Sequence, residues 1–195
     1  TSYRRNAMKY LLDGQQSKRL FFLKIKESDL DAWMEFHNNP LTSLYWISEK
    51  ESPERECQKW YDSQFYRYEN DNGGMNALIE KQSGRLVGHC GLLVQTVDDI
   101  TELEIAYSLL PEFWKNGYAT EAVIKCRDFA FQNNFSQTLI SIISLSNRPS
   151  ENVAFRNGMH ADKTTVYNGN EVNIFRITLE EWELLSGVKK MISGL

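Results

Sequence analysis

The sequence predicts a mixed α/β (α+β) protein: one domain on a mostly antiparallel sheet of about seven strands flanked by helices. Three observations carry this. Apolar residues alternate with period two in some stretches and recur at helical spacing in others, in the order β-α-α-β-β-β-α-β-α-β-β. A chain of 195 residues and 22.7 kDa is the size of one domain and buries enough surface for a core. The composition is 42% hydrophobic, 25% charged and 12% aromatic, ordinary for a globular chain and too aromatic for disorder.

Residues 1–19 are polar, with an apolar knot at Met8, Tyr10, Leu11 and Leu12, and read as an N-terminal appendage. The domain proper is expected over 20–179 and a C-terminal helical extension over 180–195. Leu20–Ile25 reads as a strand. Ser28 is the expected cap of a helix whose Leu30, Trp33, Met34 and His37 share one face, stopped at Asn38-Asn39-Pro40. Ser52-Pro53 opens a second helix, Ser as N-cap and Pro at the first helical position, with Cys57, Trp60, Tyr61, Phe65 and Tyr68 inward. Asn72-Gly73-Gly74 is expected to end that segment. Met75–Glu80, Leu86–Gln95 and Thr101–Leu109 then form an antiparallel meander. Ala119–Gln132 is an amphipathic helix and Leu139–Leu145 an Ile-rich strand. Ser150–Arg156 is a short helix stopped by Asn157-Gly158. A hairpin follows, its arms Met159–Tyr167 and Val172–Thr178 joined at Asn168-Gly169, the sequence favoured in type I′ turns.

Charge and hydropathy exclude several functions. The net charge is −4, and no basic run is longer than a pair such as Arg4–Arg5 or Lys189–Lys190, so no nucleic-acid partner is expected. No uninterrupted apolar stretch is longer than that of Leu20–Leu23, whereas a membrane-spanning helix needs about 20 such residues. No membrane partner is expected either. Cys57, Cys90 and Cys126 are odd in number and widely spaced, and His37, His89 and His160 lack metal-ligand spacing. Neither a disulfide framework nor a metal site is expected, and the chain reads as cytoplasmic.

The most informative stretch runs from Leu109 to Ala122, Leu-Leu-Pro-Glu-Phe-Trp-Lys-Asn-Gly-Tyr-Ala-Thr-Glu-Ala. A strand ends there and a helix opens near Ala119. The first turn of a helix leaves backbone N–H groups unpaired and partly positive, and a Gly followed by a small residue lets a diphosphate approach them. Alone, a Gly-x-Ala would be read as turn geometry. The full pattern Leu-x-Pro-x-x-Trp-x-x-Gly-Tyr-Ala-Thr-Glu-Ala resembles the acetyl-CoA-binding motif of the GNAT N-acetyltransferase superfamily, most of all its RimJ/RimL-like branch. A second segment agrees: Asn147-Arg148-Pro149-Ser150, then a short helix ending in Gly158-Met159.

The resemblance implies acetyl-CoA as co-substrate and a primary amine as acceptor, either a protein N-terminus or a small amine. A homodimer stays open. The resemblance places Lys115, Asn116, Gly117, Tyr118, Ala119 and Thr120 around the CoA pyrophosphate. It also places backbone groups of Ser108 and Leu109 along the pantetheine, and lets Asn147 bind its amide or hold the loop. Trp114 stands where the wider family has Gln or Arg, so no contact is inferred for it.

Acetyl transfer from a thioester to an amine needs a base, an oxyanion donor and a proton for the leaving thiolate. On Thr101–Leu109 the even positions Glu102, Glu104, Ala106 and Ser108 share a face. Either that face is solvated or it lines a cleft. The family carries a general-base Glu on this strand, and Glu104 matches it. Ser150 is the corresponding general acid, unless it serves only as a helix cap. The expected activity is direct transfer in a ternary complex. The alternative is a non-catalytic acyl-CoA-binding sensor using the same turn.

Overall fold

A computed structural model describes residues 8–193. The strands are β1 (Leu20–Lys24), β2 (Gly73–Glu80), β3 (Leu86–Val97), β4 (Ile100–Leu109), β5 (Thr138–Ser144), β6 (His160–Tyr167) and β7 (Asn170–Thr178). The helices are α1 (Leu30–Asn38), α2 (Pro53–Glu69), α3 (Tyr118–Gln132), α4 (Arg148–Arg156) and α5 (Leu179–Ser193). The strands make one sheet in the order β1-β2-β3-β4-β5-β7-β6. Every neighbouring pair is antiparallel except β4 with β5.

Alternation along β3 sets the layers. His89 meets Trp33 of α1 and Trp60 of α2, ring centroids 4.4 and 4.5 Å apart, while Cys90 meets Cys126 of α3 at 3.5 Å on the opposite face. The α1–α2 pair therefore covers one face and α3 the other. Trp33, Phe22, Tyr61, Leu78 and Leu92 lie fully buried on or under the sheet. The β6–β7 turn is as expected, with Asn168 and Gly169 both at positive φ (48° and 75°).

Three local expectations are corrected. Ser28 does not cap α1: it lies in a 3-10 turn, Glu27–Asp29, closed by Asp29 accepting from the Lys26 N–H at 3.1 Å. Gly73 and Gly74 do not merely end α2; they begin β2, where a Cβ on Gly73 would fall 1.9 Å from the Leu92 carbonyl oxygen. Asn147, not Ser150, caps α4: its Oδ1 accepts from the Ser150 N–H at 3.2 Å.

Of the expected appendage, residues 1–7 lie outside the described residues. The rest packs on the domain. Leu12 is fully buried and its N–H donates to Asn76 Oδ1 at 3.0 Å, while Gly14 and Gln15 pair with Phe22 of β1.

Candidate active site

The turn before α3 is shaped by two left-handed residues, Lys115 (φ 62°) and Gly117 (φ 80°). Gly117 is the N-cap, where a β-branched residue would be strained. The first intrahelical bond runs from Glu121 N–H to Gly117 C=O. Among the described residues, the N–H groups of Lys115, Asn116, Gly117, Tyr118, Ala119 and Thr120 have no hydrogen-bond acceptor. Six free donors beside a helix N-terminus suit a diphosphate.

The turn is held from outside. Arg19 Nε bonds Glu121 at 2.7 Å, its Nη1 donates to Asn116 C=O at 2.8 Å, and its guanidinium lies 4.1 Å from the Tyr118 ring centre. The Tyr118 hydroxyl donates to Glu80. The Tyr118 side chain thus holds the turn, Asn116 Nδ2 donates across it to the Trp114 C=O at 3.0 Å, and the backbone N–H groups of both residues stay without an acceptor. Trp114 supports the turn as well. Its indole N–H donates to Leu109 C=O at 2.9 Å, closing the end of β4 on the turn.

β4 and β5 pair at one position, Glu104 with Ile140, and then splay. A cavity of about 160 Å³ opens between them, lined by Glu104, Ala106, Tyr107, Ser141, Asn147 and Ser150 among others. Backbone direction alternates along β4. The Ile105 carbonyl faces β5, where Ser141 Oγ donates to it at 2.9 Å, whereas the Ser108 carbonyl faces Gly88 of β3. By the same alternation the main chain of Tyr107 and Leu109 faces the gap, the Leu109 carbonyl being taken by Trp114, while the Ser108 carbonyl faces β3.

Glu104 is 7% exposed at the point of divergence. Oε1 accepts from Gln95 Nε2 at 3.0 Å and Oε2 from Ile142 N–H at 3.3 Å. Burial pushes its pKa up from 4.5 to about 7; the two hydrogen bonds and Arg67 pull the other way and only partly offset this. A carboxyl group with that pKa is matched to proton abstraction near neutrality. Glu102, on the same strand face, is not free for chemistry: Arg176 binds it at 2.7 Å.

Ser150 lies on the far side of the gap, in the first turn of α4. Tyr107 O–H donates to its Oγ at 2.9 Å. Burial raises the Tyr107 pKa to about 12, so the phenol remains a donor at neutral pH. Sequence reasoning passes over Tyr107 because strand alternation groups it with Leu103, Ile105 and Leu109 as apolar. The signal lies in the Glu-Ile-Ala-Tyr quartet, where Tyr alone of that face carries a hydroxyl. Asn147 holds the α4 loop and lines the same cavity. His160 pairs with Glu181 at 3.0 Å, away from the cavity lining, and His89 is buried against Trp33 and Trp60. Among the described residues, no group of three His, Cys, Asp or Glu side chains could hold a metal ion. All three cysteines are buried.

Two buried groups give stability a calculable pH dependence. Neither nitrogen of His89 has a partner, and burial lowers its pKa from 6.5 to about 3. The unfolded chain protonates His89 first, so its contribution is lost as pH falls from 6.5 toward 3. Glu104 acts oppositely: its pKa is raised, so its contribution is greatest below 4.5 and is lost as pH rises toward 7. Between 4.5 and 6.5 these two slopes oppose; below 4.5 the His89 slope is joined by Glu80, Asp98 and Glu121, whose hydrogen bonds and ion pairs lower their pKa. In Glu104→Gln, urea midpoints are expected to fall with acid from about pH 6.5 rather than from about 4.5. Identical midpoint–pH curves for the two proteins would refute this.

A seven-stranded sheet splayed at β4–β5, with a free N–H turn at one end of the gap and a buried carboxyl at its root, defines an acyl-CoA-dependent transferase. The family description "Acetyltransferase (GNAT) domain" matches residues 19–160, and the chain belongs to the GNAT acetyltransferase family. It is thus an acyltransferase that takes its acetyl group from acetyl-CoA. YkkB of Bacillus subtilis (strain 168), itself uncharacterized, is 31% identical over 130 residues, covering 65% of this chain and 73% of YkkB. Among solved structures, an acetyltransferase from Agrobacterium tumefaciens str. C58 superposes with a TM-score of 0.70 at 22% identity, covering 84% and 92% of the two chains. RimL, a ribosomal L7/L12 alpha-N-protein acetyltransferase in complex with coenzyme A, superposes with a TM-score of 0.66 at 15% identity, covering 86% and 98%. These two likenesses concern the fold.

Proposed function

We propose that the protein transfers acetyl from acetyl-CoA directly to a primary amine in a ternary complex. One observation carries the reading: Glu104 and Ser150 line the same cavity in the β4–β5 gap. The pyrophosphate would rest on the N–H groups of 115–120, with the pantetheine beside Tyr107. The neutral amine attacks the thioester carbonyl carbon, forming the C–N bond. Glu104 takes the surplus amine proton, directly or through one water. The tetrahedral intermediate then breaks its C–S bond. Ser150 Oγ–H protonates the departing sulfur and takes a proton from Tyr107 O–H, so CoA leaves as a thiol. Solvent exchange restores the two side chains.

The likeness to RimL supports a protein N-terminal amine as the first acceptor to try, with a small amine as the second. Thiol release from acetyl-CoA across N-terminal peptides, polyamines and aminoglycosides tests this. Turnover with one amine class supports the reading; tight acetyl-CoA binding with no turnover on any amine would overturn it.

The relay makes its own prediction. Ser150→Ala is expected to lower kcat by about 10²-fold, within the range for general acid–base groups, with acetyl-CoA binding little changed. Tyr107→Phe should cost less, because Ser150 keeps its own proton. In the Ser150→Ala background it should cost nothing further at the chemical step. Full additivity in single-turnover kinetics would show that the two do not act together.

A further inference from the structure

Glu104 sits at the end of a hydrogen-bonded chain that the reaction above does not use. Gln95, on β3, gives its Nε2 to Glu104 Oε1 at 3.0 Å. Its Oε1 accepts twice, from Arg67 Nη2 of α2 at 3.0 Å and from the Tyr167 hydroxyl of β6 at 3.0 Å. Arg67 is itself fixed: Nη1 donates to the carbonyls of Asn72 at 3.1 Å and Val94 at 3.0 Å. Tyr167 is held at the other end by Trp46, ring centroids 6.4 Å apart.

An Arg guanidinium has no acceptor atom, so only the oxygen of the Gln95 amide can face it. A flipped amide would set NH₂ against N–H on the Arg67 side and oxygen against carboxylate on the Glu104 side. One orientation survives. The amide also separates charges: a guanidinium directly on the carboxylate would hold it ionised far below neutrality, whereas a neutral N–H does so weakly. The other charged group beside Glu104 on β4, Glu102, is neutralised by Arg176 of β7.

We propose that Arg67 and Tyr167 are positioning residues acting through Gln95, locking its amide so that Glu104 is presented to the acceptor in one orientation with one neutral donor. The proposal rests on the reading of Glu104 as the base, and its test is chosen to fail separately.

Protein labelled with carbon-13 at glutamate carboxyls is titrated by NMR, the Glu104 resonance being the one absent from Glu104→Gln; kcat/KM against pH is measured in parallel. Gln95→Leu is expected to move the Glu104 titration, and the acidic limb of the rate profile, upward by about one pH unit. KM for acetyl-CoA should not change. Tyr167→Phe removes one oxygen and no charge; it should give a smaller shift in the same direction, and none when Gln95 is already Leu. Arg67→Lys, which keeps a cationic donor, should lie closer to wild type than Arg67→Met.

If Tyr167→Phe shifts the titration equally with Gln95 present or absent, or Gln95→Leu shifts nothing, the lock is wrong. If the NMR shifts appear but Glu104→Gln keeps full activity, the lock stands and the base assignment falls.

Discussion

Glu104→Gln is expected to lower kcat/KM by about 10²- to 10⁴-fold, the usual contribution of a positioned general base. Acetyl-CoA binding should be preserved, because the free N–H groups of 115–120 are formed by a separate turn. The pH profile carries the sharper information. Burial sets the Glu104 pKa at about 7, so wild-type kcat/KM should rise with pH through neutrality as the carboxyl ionises. The variant should lose that limb and rise only as the acceptor amine loses its own proton, about pH 8 for an N-terminus and 10.4 for a lysine.

The substitution is isosteric but not neutral. Both oxygens of Glu104 face donors, Gln95 Nε2 and Ile142 N–H. A Gln side chain has one oxygen, so one donor must meet an NH₂ group. Gln95 cannot turn to relieve this while Arg67 and Tyr167 hold its oxygen. Glu104→Asp is therefore the companion variant: it keeps two acceptors and the charge while withdrawing the carboxylate by one methylene. Partial activity with a surviving acidic limb in Glu104→Asp, against its loss in Glu104→Gln, would identify the ionised carboxylate as the active species. Equal, pH-independent losses in both would instead mean that Glu104 only supports the β4–β5 fork.

The order of elements was legible because helices and strands announce themselves by local period, and Gly117 was legible because a left-handed N-cap demands it. The contacts that give the site its chemistry are not local. Gln95 lies 28 residues from Arg67 and 72 from Tyr167, and Tyr107 lies 43 from Ser150. Nothing in the spacing of these residues says that they meet. Arg19 makes the same point across 102 residues: it stands at the end of an expected appendage, yet it braces the phosphate-facing turn through Glu121. Glu104 could be singled out by motif, but its two donors follow only from the register of β3 and from the place where β5 leaves β4. The same holds for Ser108 and Leu109: a residue list gives the strand, whereas the side on which each carbonyl emerges depends on pairing.

Gly91→Ala is expected to destabilise the fold at or beyond the upper end of the range for overpacking, about 3 kcal/mol. Gly91 lies in the middle of β3, paired with Ala106 of β4 on one side and Met75 of β2 on the other. A Cβ there would fall 2.2 Å from the Gly74 carbonyl oxygen and 2.9 Å from Met75 Cα, both backbone atoms with no rotamer to change. The start of β2 cannot retreat cheaply. Gln64 of α2 accepts from the Met75 N–H at 2.8 Å, and the Tyr68 hydroxyl donates to the Met75 carbonyl. Yielding would break two buried hydrogen bonds and lift α2, which carries Arg67, away from β3. For a chain of this size, Tm should fall by roughly 6–12 °C. Gly84→Ala and Gly169→Ala are the controls: both positions have positive φ, 70° and 75°, but open space around the added methyl. They should cost only backbone strain, about 1–2 kcal/mol. If Gly91→Ala melts with the controls, the sheet adjusts at that point and β2 is not pinned by α2. If it falls well below them, the close approach of β2 to β3 is a fixed feature of the fold, and the placement of Arg67 behind Gln95 depends on it.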